Sequence, residues 1–207
     1  MSDDGLLVPS DPELAAKCYP SGTKNEATAM CLCGSVEIKL KTEEPAISAF
    51  CHCWACRRAH SAPLYQVIYA DTANICPKTG DKREGEFEIM ITKGFDMLRP
   101  ADPGPGNPNF ESWDDNPNFG GLGRLYCSKC GVVMINTLFQ RPHSIFNDTD
   151  EDVDFISVFP GTFTEKMSEF IEAWQPTVHV HCESSILPFE AINDGLEKFS
   201  AWPPPEE

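Results

Sequence analysis

Residues 27–41 read ATAMCLCGSVEIKLK, and the fold is legible from this stretch. From Ser35 to Lys41 apolar and polar residues alternate strictly, the signature of a strand with one buried face. Just before it stand Cys31 and Cys33, one residue apart and followed by Gly34. Two thiolates this close supply half of a tetrahedral metal site if the backbone turns sharply between them, and a glycine at that point permits the positive φ such a turn needs. The segment therefore predicts a β-strand anchored at its start by a metal knuckle.

Further strands are predicted along the chain. Residues 46–50, 64–70, 86–92, 132–137, 154–159 and 178–182 each carry a strand pattern, and a short helical turn covers Trp54 to Ala59. The fold class is mainly β, with few short helices. Met167, Phe170, Ile171 and Trp174 fall at i, i+3, i+4 and i+7 and predict a short amphipathic helix stopped by Pro176, its stripe packing into the core. The 18 Pro and 14 Gly cluster in connections. The longest, RPADPGPGNPNFESWDDNPNFGGLG at residues 99–123, is read either as a surface insertion or as a lid whose Phe110, Trp113 and Phe119 cover a pocket. The resulting division is an N-terminal arm at 1–26, a zinc domain at 27–190 and a C-terminal tail at 191–207.

Thirty-two acidic against 16 basic residues give a formal charge of −16. Such a surface repels phosphates and anionic lipid, which argues against nucleic acid and membranes and leaves a small-molecule substrate as the expected partner. No pattern in the sequence sets an oligomeric state. The opening Met1 to Pro9 has no basic start, and its apolar run is too short for a signal peptide or a membrane span. A cytoplasmic protein is expected, with the nucleus compatible as well. In a reducing compartment ten cysteines point to metal or redox chemistry rather than to disulfides.

Seven of the ten lie in three clusters: Cys31/Cys33, Cys51/Cys53/Cys56 and Cys127/Cys130. The first and last are half-sites, each followed by Gly, and together predict one closed four-cysteine zinc site. The middle cluster offers three ligands and no fourth cysteine, the arrangement of a catalytic zinc that keeps a position for water or substrate sulfur. An iron–sulfur cluster competes with this reading, as does a purely structural second site closed by His52 or His60. Cys18, Cys76 and Cys182 lack ligand spacing.

CLCGSVEIKL at 31–40, CHCWACRRAHSAP at 51–63 and RLYCSKCGVVM at 124–134 resemble the three signatures of the glutathione-dependent formaldehyde-activating family, which includes the centromere protein V group. The similarity spans residues 27–190, and PTVHVHCESSILPF echoes the family's later Pro-x-x-His segment with His179 at the His position. The resemblance implies an Mss4-like β-tent of antiparallel strands and two zinc ions per chain. Cys31, Cys33, Cys127 and Cys130 would hold the structural ion, and Cys51, Cys53 and Cys56 the catalytic one. It also implies a carbon–sulfur lyase reaction, addition of glutathione to formaldehyde giving S-hydroxymethylglutathione, with glutathione as co-substrate. Two features depart from the family: a longer stretch between Cys56 and Cys127, and the extra N-terminal arm.

For proton transfer the candidates are His52 and His60, close to the middle cluster in sequence, and His179, placed by resemblance. Arg57 and Arg58 are candidates for binding a glutathione carboxylate through a bidentate guanidinium. Two other readings remain open: a zinc-dependent lyase or isomerase of specialised metabolism acting on a larger substrate, and a non-catalytic zinc binding module.

Overall fold

The alternating stretch after the first cysteine pair is strand β3 (Glu37–Lys41), as the numbering below places it, with Ile38 and Leu40 buried. The structure is a computed structural model and describes residues 5–45, 47–71, 75–76, 89–100, 121–139 and 153–204. In chain order its strands are β1 (Leu6–Val8), β2 (Glu26–Met30), β3, β4 (Ile47–Cys51), β5 (Tyr65–Asp71), β6 (Ile75–Cys76), β7 (Ile89–Lys93), β8 (Leu98–Pro100), β9 (Gly121–Cys127), β10 (Val133–Phe139), β11 (Val153–Val158), β12 (Val178–Val180) and β13 (Glu197–Phe199). Two α-helices accompany them among the described residues, α1 (Pro12–Cys18) and α2 (Trp54–His60).

The strands form two sheets, one of nine in the order β1-β13-β12-β4-β5-β11-β10-β9-β8 and one of four in the order β2-β3-β7-β6. Most neighbours are antiparallel, as expected, but three pairings are parallel: β12 with β4, β12 with β13, and β6 with β7. β12 comes from far along the chain and inserts between β4 and β13, which a hairpin connection cannot achieve. The terminal segments also join the large sheet, since β1 pairs with β13 and the Asp11 N–H donates to the Gly195 carbonyl at 2.7 Å.

Strand alternation divides the large sheet into two faces. On one face Ile68 and Ala70 of β5, Leu125 and Cys127 of β9, and Met134 and Ile135 near the start of β10 pack with Ile38, Leu40, Ile89 and Ile91 of the small sheet. This is the main core. On the other face Ala49 and Cys51 of β4, Val67 and Tyr69 of β5, and Val180 of β12 form a second cluster with Cys56 and Phe159. The two faces carry different chemistry, as described below.

The helix predicted from Met167 to Trp174 is replaced by two single 3-10 turns, Met167–Glu169 and Glu172–Trp174. Their backbone is otherwise engaged: the carbonyls of Glu169 and Phe170 accept from Gly22, Thr23 and Lys24, and the Ile171 N–H donates to Lys24. A continuous α-helix would need those same groups. The packing expectation is met, because Phe170 and Trp174 are fully buried and stack at 4.7 Å.

Gly94, just after β7, adopts φ +75°, and a Cβ there would collide with the Ser35 carbonyl of the first cysteine turn. Gly94→Ala is expected to lower stability by about 1–3 kcal/mol from the left-handed backbone alone, with the collision adding to it. Urea denaturation of the two proteins measures the difference.

Candidate metal centres

The two half-sites are built by the same wiring. The Cys31 N–H donates to the Val36 carbonyl and the Gly34 N–H to the Cys31 carbonyl, at 3.1 and 2.9 Å. In the other, the Cys127 N–H donates to Val132 and the Gly131 N–H to Cys127, at 2.9 and 2.7 Å. Gly34 and Gly131 have φ of 67° and 76°, the conformation that lets each turn close. The two turns bring Cys31, Cys33, Cys127 and Cys130 together with their sulfurs within 4.8 Å of one another. Two of the separations are 3.6 Å, Cys31 to Cys33, and 3.8 Å, Cys33 to Cys127. Four thiolates around a tetrahedral zinc with Zn–S near 2.3 Å would stand about 3.8 Å apart, so the set fits that ion.

The second set is Cys51, Cys53 and Cys56, again with sulfurs within 4.8 Å of one another. Cys51 ends β4, and Cys53 is the N-cap of α2, its sulfur accepting from the Cys56 N–H at 3.3 Å. Cys51 and Cys56 are buried, while Cys53 is partly exposed. Hydrogen bonds from Cys51 and Cys53 hold the Cys56 thiol down at about 2, and Arg124 contributes in the same direction. The guanidinium Nη2 of Arg124 lies 3.3 Å from the Cys56 sulfur. No further His, Cys, Asp or Glu among the described residues completes either group.

The two sets lie on opposite faces of the large sheet. β9 shows why: Cys127 belongs to the main core, whereas Arg124, an odd number of positions away, reaches Cys56 on the far side.

The three candidate histidines separate. His52 Nε2 is 2.9 Å from His179 Nδ1, His179 Nε2 is 2.7 Å from Asp194 Oδ2, and His52 Nδ1 is 3.0 Å from Ser185 Oγ. Every ring nitrogen of His52 and His179 is thus committed within a buried chain. Burial lowers the His52 pKa to about 4. Asp194 also accepts from Tyr19 and Lys198, at 2.8 and 3.1 Å. The backbone of His52 is fixed as well, its N–H donating to Val180 and its carbonyl accepting from Arg57 Nε, both at 3.0 Å. The chain therefore holds the residue between Cys51 and Cys53. His60 is placed differently, stacked on Tyr65 at 4.5 Å and edge-on to Phe159 at 4.5 Å. Burial lowers its pKa to about 4, and Cys56 and Arg124 are the charges that act on it.

Arg57 is engaged by the His52 carbonyl, and Arg58 lies over the Trp54 ring at 5.4 Å. Neither lines the open cleft of about 740 Å³ beside His60, Tyr65, Val133 and Phe159. Cys18 is exposed and Cys182 buried. The aromatics Phe110, Trp113 and Phe119 of the long Pro/Gly stretch lie outside the described residues.

Sequence reasoning misses Arg124, which contacts Cys56, Tyr65, which stacks on His60, and Asp194, which ends the histidine chain. Arg124 alone carried a signal, three residues before Cys127 in the quoted RLYC motif.

Fold and clusters define a mostly β protein with one four-thiol and one three-thiol group able to hold metal ions. Residues 26–96 match the family model described as glutathione-dependent formaldehyde-activating enzyme, and this match supports assignment of the chain to that family. The matched span contains five of the seven clustered cysteines, Cys31, Cys33, Cys51, Cys53 and Cys56. A search of curated proteins found no significant match to the chain. No helix among the described residues is long and apolar enough to cross a membrane.

Proposed function

We propose that the chain is a zinc-dependent carbon–sulfur lyase that forms or cleaves the adduct of a thiol, glutathione in the first instance, with a carbonyl compound. The observation that carries this reading is the three-cysteine group with no fourth protein ligand among the described residues, on the opposite sheet face from a complete four-cysteine group. The match of residues 26–96 to a family model described as glutathione-dependent formaldehyde-activating enzyme supports the choice of glutathione and formaldehyde as the reactant pair. Cys31, Cys33, Cys127 and Cys130 would hold a structural zinc, and Cys51, Cys53 and Cys56 the catalytic one.

Zinc bound there supplies a soft Lewis acid that lowers the pKa of a thiol. In the forward reaction the thiol loses its proton, and the sulfur electron pair forms the carbon–sulfur bond. The carbonyl π pair moves to oxygen, and that oxygen takes up a proton. RSH and H2CO become RSCH2OH with nothing oxidised or reduced. Arg124 stabilises negative charge at Cys56, and the His52–His179–Asp194 chain keeps Cys51 and Cys53 in place. We assign proton transfer to His60, whose buried ring stacks on Tyr65 and is acted on by the charge at Cys56.

The test is elemental analysis together with zinc-edge X-ray absorption. About two zinc ions per chain are expected, with one more sulfur neighbour at the second ion when glutathione is added. A single zinc, or an unchanged sulfur count with no affinity for glutathione, would overturn the reading.

A further inference from the structure

Buried polar side-chain atoms without a hydrogen-bond partner are rare in native proteins, and each asks for an explanation. Among the described residues five such atoms occur, and they belong to four residues: His60 Nε2, Tyr65 Oη, Arg124 Nε, and Asn136 Nδ2 and Oδ1. They are not scattered. Arg124 of β9 and Asn136 of β10 are directly opposed in the antiparallel register, so their side chains leave the same face of the sheet. The row continues across the sheet, because Asn136 opposes Ser157 and Ser157 opposes Tyr69. Tyr69 packs in the cluster that contains Cys51 and Cys56, and Tyr65 stands four residues before it on the same face. The Tyr65 hydroxyl lies beside the Cys56 thiol without hydrogen-bond geometry to it. His60 stacks on Tyr65, and Arg124 touches Cys56. Arg124, Tyr65 and His60 therefore adjoin the three-cysteine group, and Asn136 stands beside Arg124 on the same sheet face.

Asn136 is 0 % exposed, and neither atom of its amide is satisfied. A side chain kept for packing would be cheaper as an apolar residue, since a buried unpaired amide carries its full desolvation cost. The free groups also have a definite chemistry. Tyr65 O–H, Arg124 Nε–H and Asn136 Nδ2–H are donors, while Asn136 Oδ1 is an acceptor. A carbonyl or alkoxide oxygen uses the donors, and the hydroxyl it becomes can also donate to Asn136 Oδ1.

We infer that Arg124, Asn136 and Tyr65 form an oxygen-binding pocket beside the three-cysteine group, specific for a thiol substrate or adduct that carries a hydroxyl or carbonyl oxygen near its sulfur. The inference rests on the proposed chemistry for its catalytic consequence, and on the unpartnered atoms alone for binding. A site built to bond a hydroxyl rejects an analogue that lacks it, because its own polar groups are then left unpaired.

The experiment uses the zinc-loaded full chain and two thiols, 2-mercaptoethanol and ethanethiol, which differ by one hydroxyl. Calorimetric titration is expected to show at least tenfold tighter binding of 2-mercaptoethanol to the wild type, and equal binding of the two by Asn136→Leu. Asn136→Leu is also expected to melt no lower than the wild type, since it removes an unsatisfied amide, while turnover of glutathione with formaldehyde falls about 100-fold. Tyr65→Phe, which deletes only one hydroxyl, gives a second reading should Asn136→Leu not fold, and it is expected to narrow the thiol preference. Equal binding of the two thiols by the wild type, or an unchanged preference in both variants, overturns the pocket. A wild type that prefers 2-mercaptoethanol yet does not turn over glutathione and formaldehyde keeps the pocket and removes the proposed reaction.

Discussion

Cys31→Ser and Cys127→Ser are expected to give unfolded or aggregated protein, whereas Cys53→Ser gives a folded chain that retains one metal ion of two. The asymmetry follows from where each group sits. Cys31 and Cys127 are buried in the main core, and their two turns join the start of the small sheet to the end of β9. A structural zinc contributes apparent binding free energy of about 10–16 kcal/mol to folding. Whole domains are stable by only about 5–15 kcal/mol, so weakening this site removes most of the margin. Cys53 is partly exposed, belongs to one short loop and helix, and ties no distant strands together. Thermal melts paired with elemental analysis read both arms, and equal destabilisation by all three substitutions would show both sites to be structural.

The second large effect is expected at Asp194, outside every cysteine cluster. Its carboxylate accepts from His179, Tyr19 and Lys198, and Lys198 is only 2 % exposed. Asp194→Asn leaves that ammonium buried without a counter-charge and is expected to cost about 3–5 kcal/mol. Asp194→Asn combined with Lys198→Met should recover much of the loss, since removing both charges avoids the stranded one. Because His179 and His52 connect Asp194 to the Cys51–Cys53 segment, zinc affinity at the second site is also expected to fall, by about 10- to 100-fold, with the first site unaffected.

The pH dependence has a definite sign. Burial opposes the Asp194 charge, but the hydrogen bonds from His179 and Tyr19 and the nearby positive charge outweigh it, so the carboxyl is held below its ordinary value. A carboxylate with a depressed folded-state pKa contributes stability that is present above the unfolded value, near 3.9, and is lost as pH falls below it. The stability gap between wild type and Asp194→Asn should therefore hold from pH 7 to about pH 5 and close at lower pH. Urea denaturation across that range measures it.

What was legible in the sequence was whatever is encoded locally. Strict alternation from Ser35 to Lys41 fixed both the strand and its buried face, which the structure shows with Ile38 and Leu40 inside. Cysteine spacing with a following glycine marked both half-sites, because a two-ligand turn needs only a few residues and one positive φ, found at Gly34 and Gly131. The 3.6-residue spacing at Met167 to Trp174 identified core residues and yet misnamed the conformation. Backbone bonds to Gly22, Thr23 and Lys24, some 145 residues away in the Lys24–Glu169 pair, took the carbonyls a helix would have used.

The sequence by itself determined the β character, the grouping of the seven cysteines and the family resemblance, all of which depend on neighbours within about a dozen residues. Only the tertiary structure decided which polar side chains serve the three-cysteine group. His52 lies between two of those cysteines yet turns its ring into a chain with His179 and Asp194, while Arg124 and Asn136, far away in sequence, stand on their face of the sheet. The reason is strand geometry. Side chains alternate faces at every residue, so sequence proximity places a neighbour on the wrong side as readily as the right one. Residues that share a face are brought together by cross-strand register, and the register here depends on the order of nine strands drawn from the whole chain.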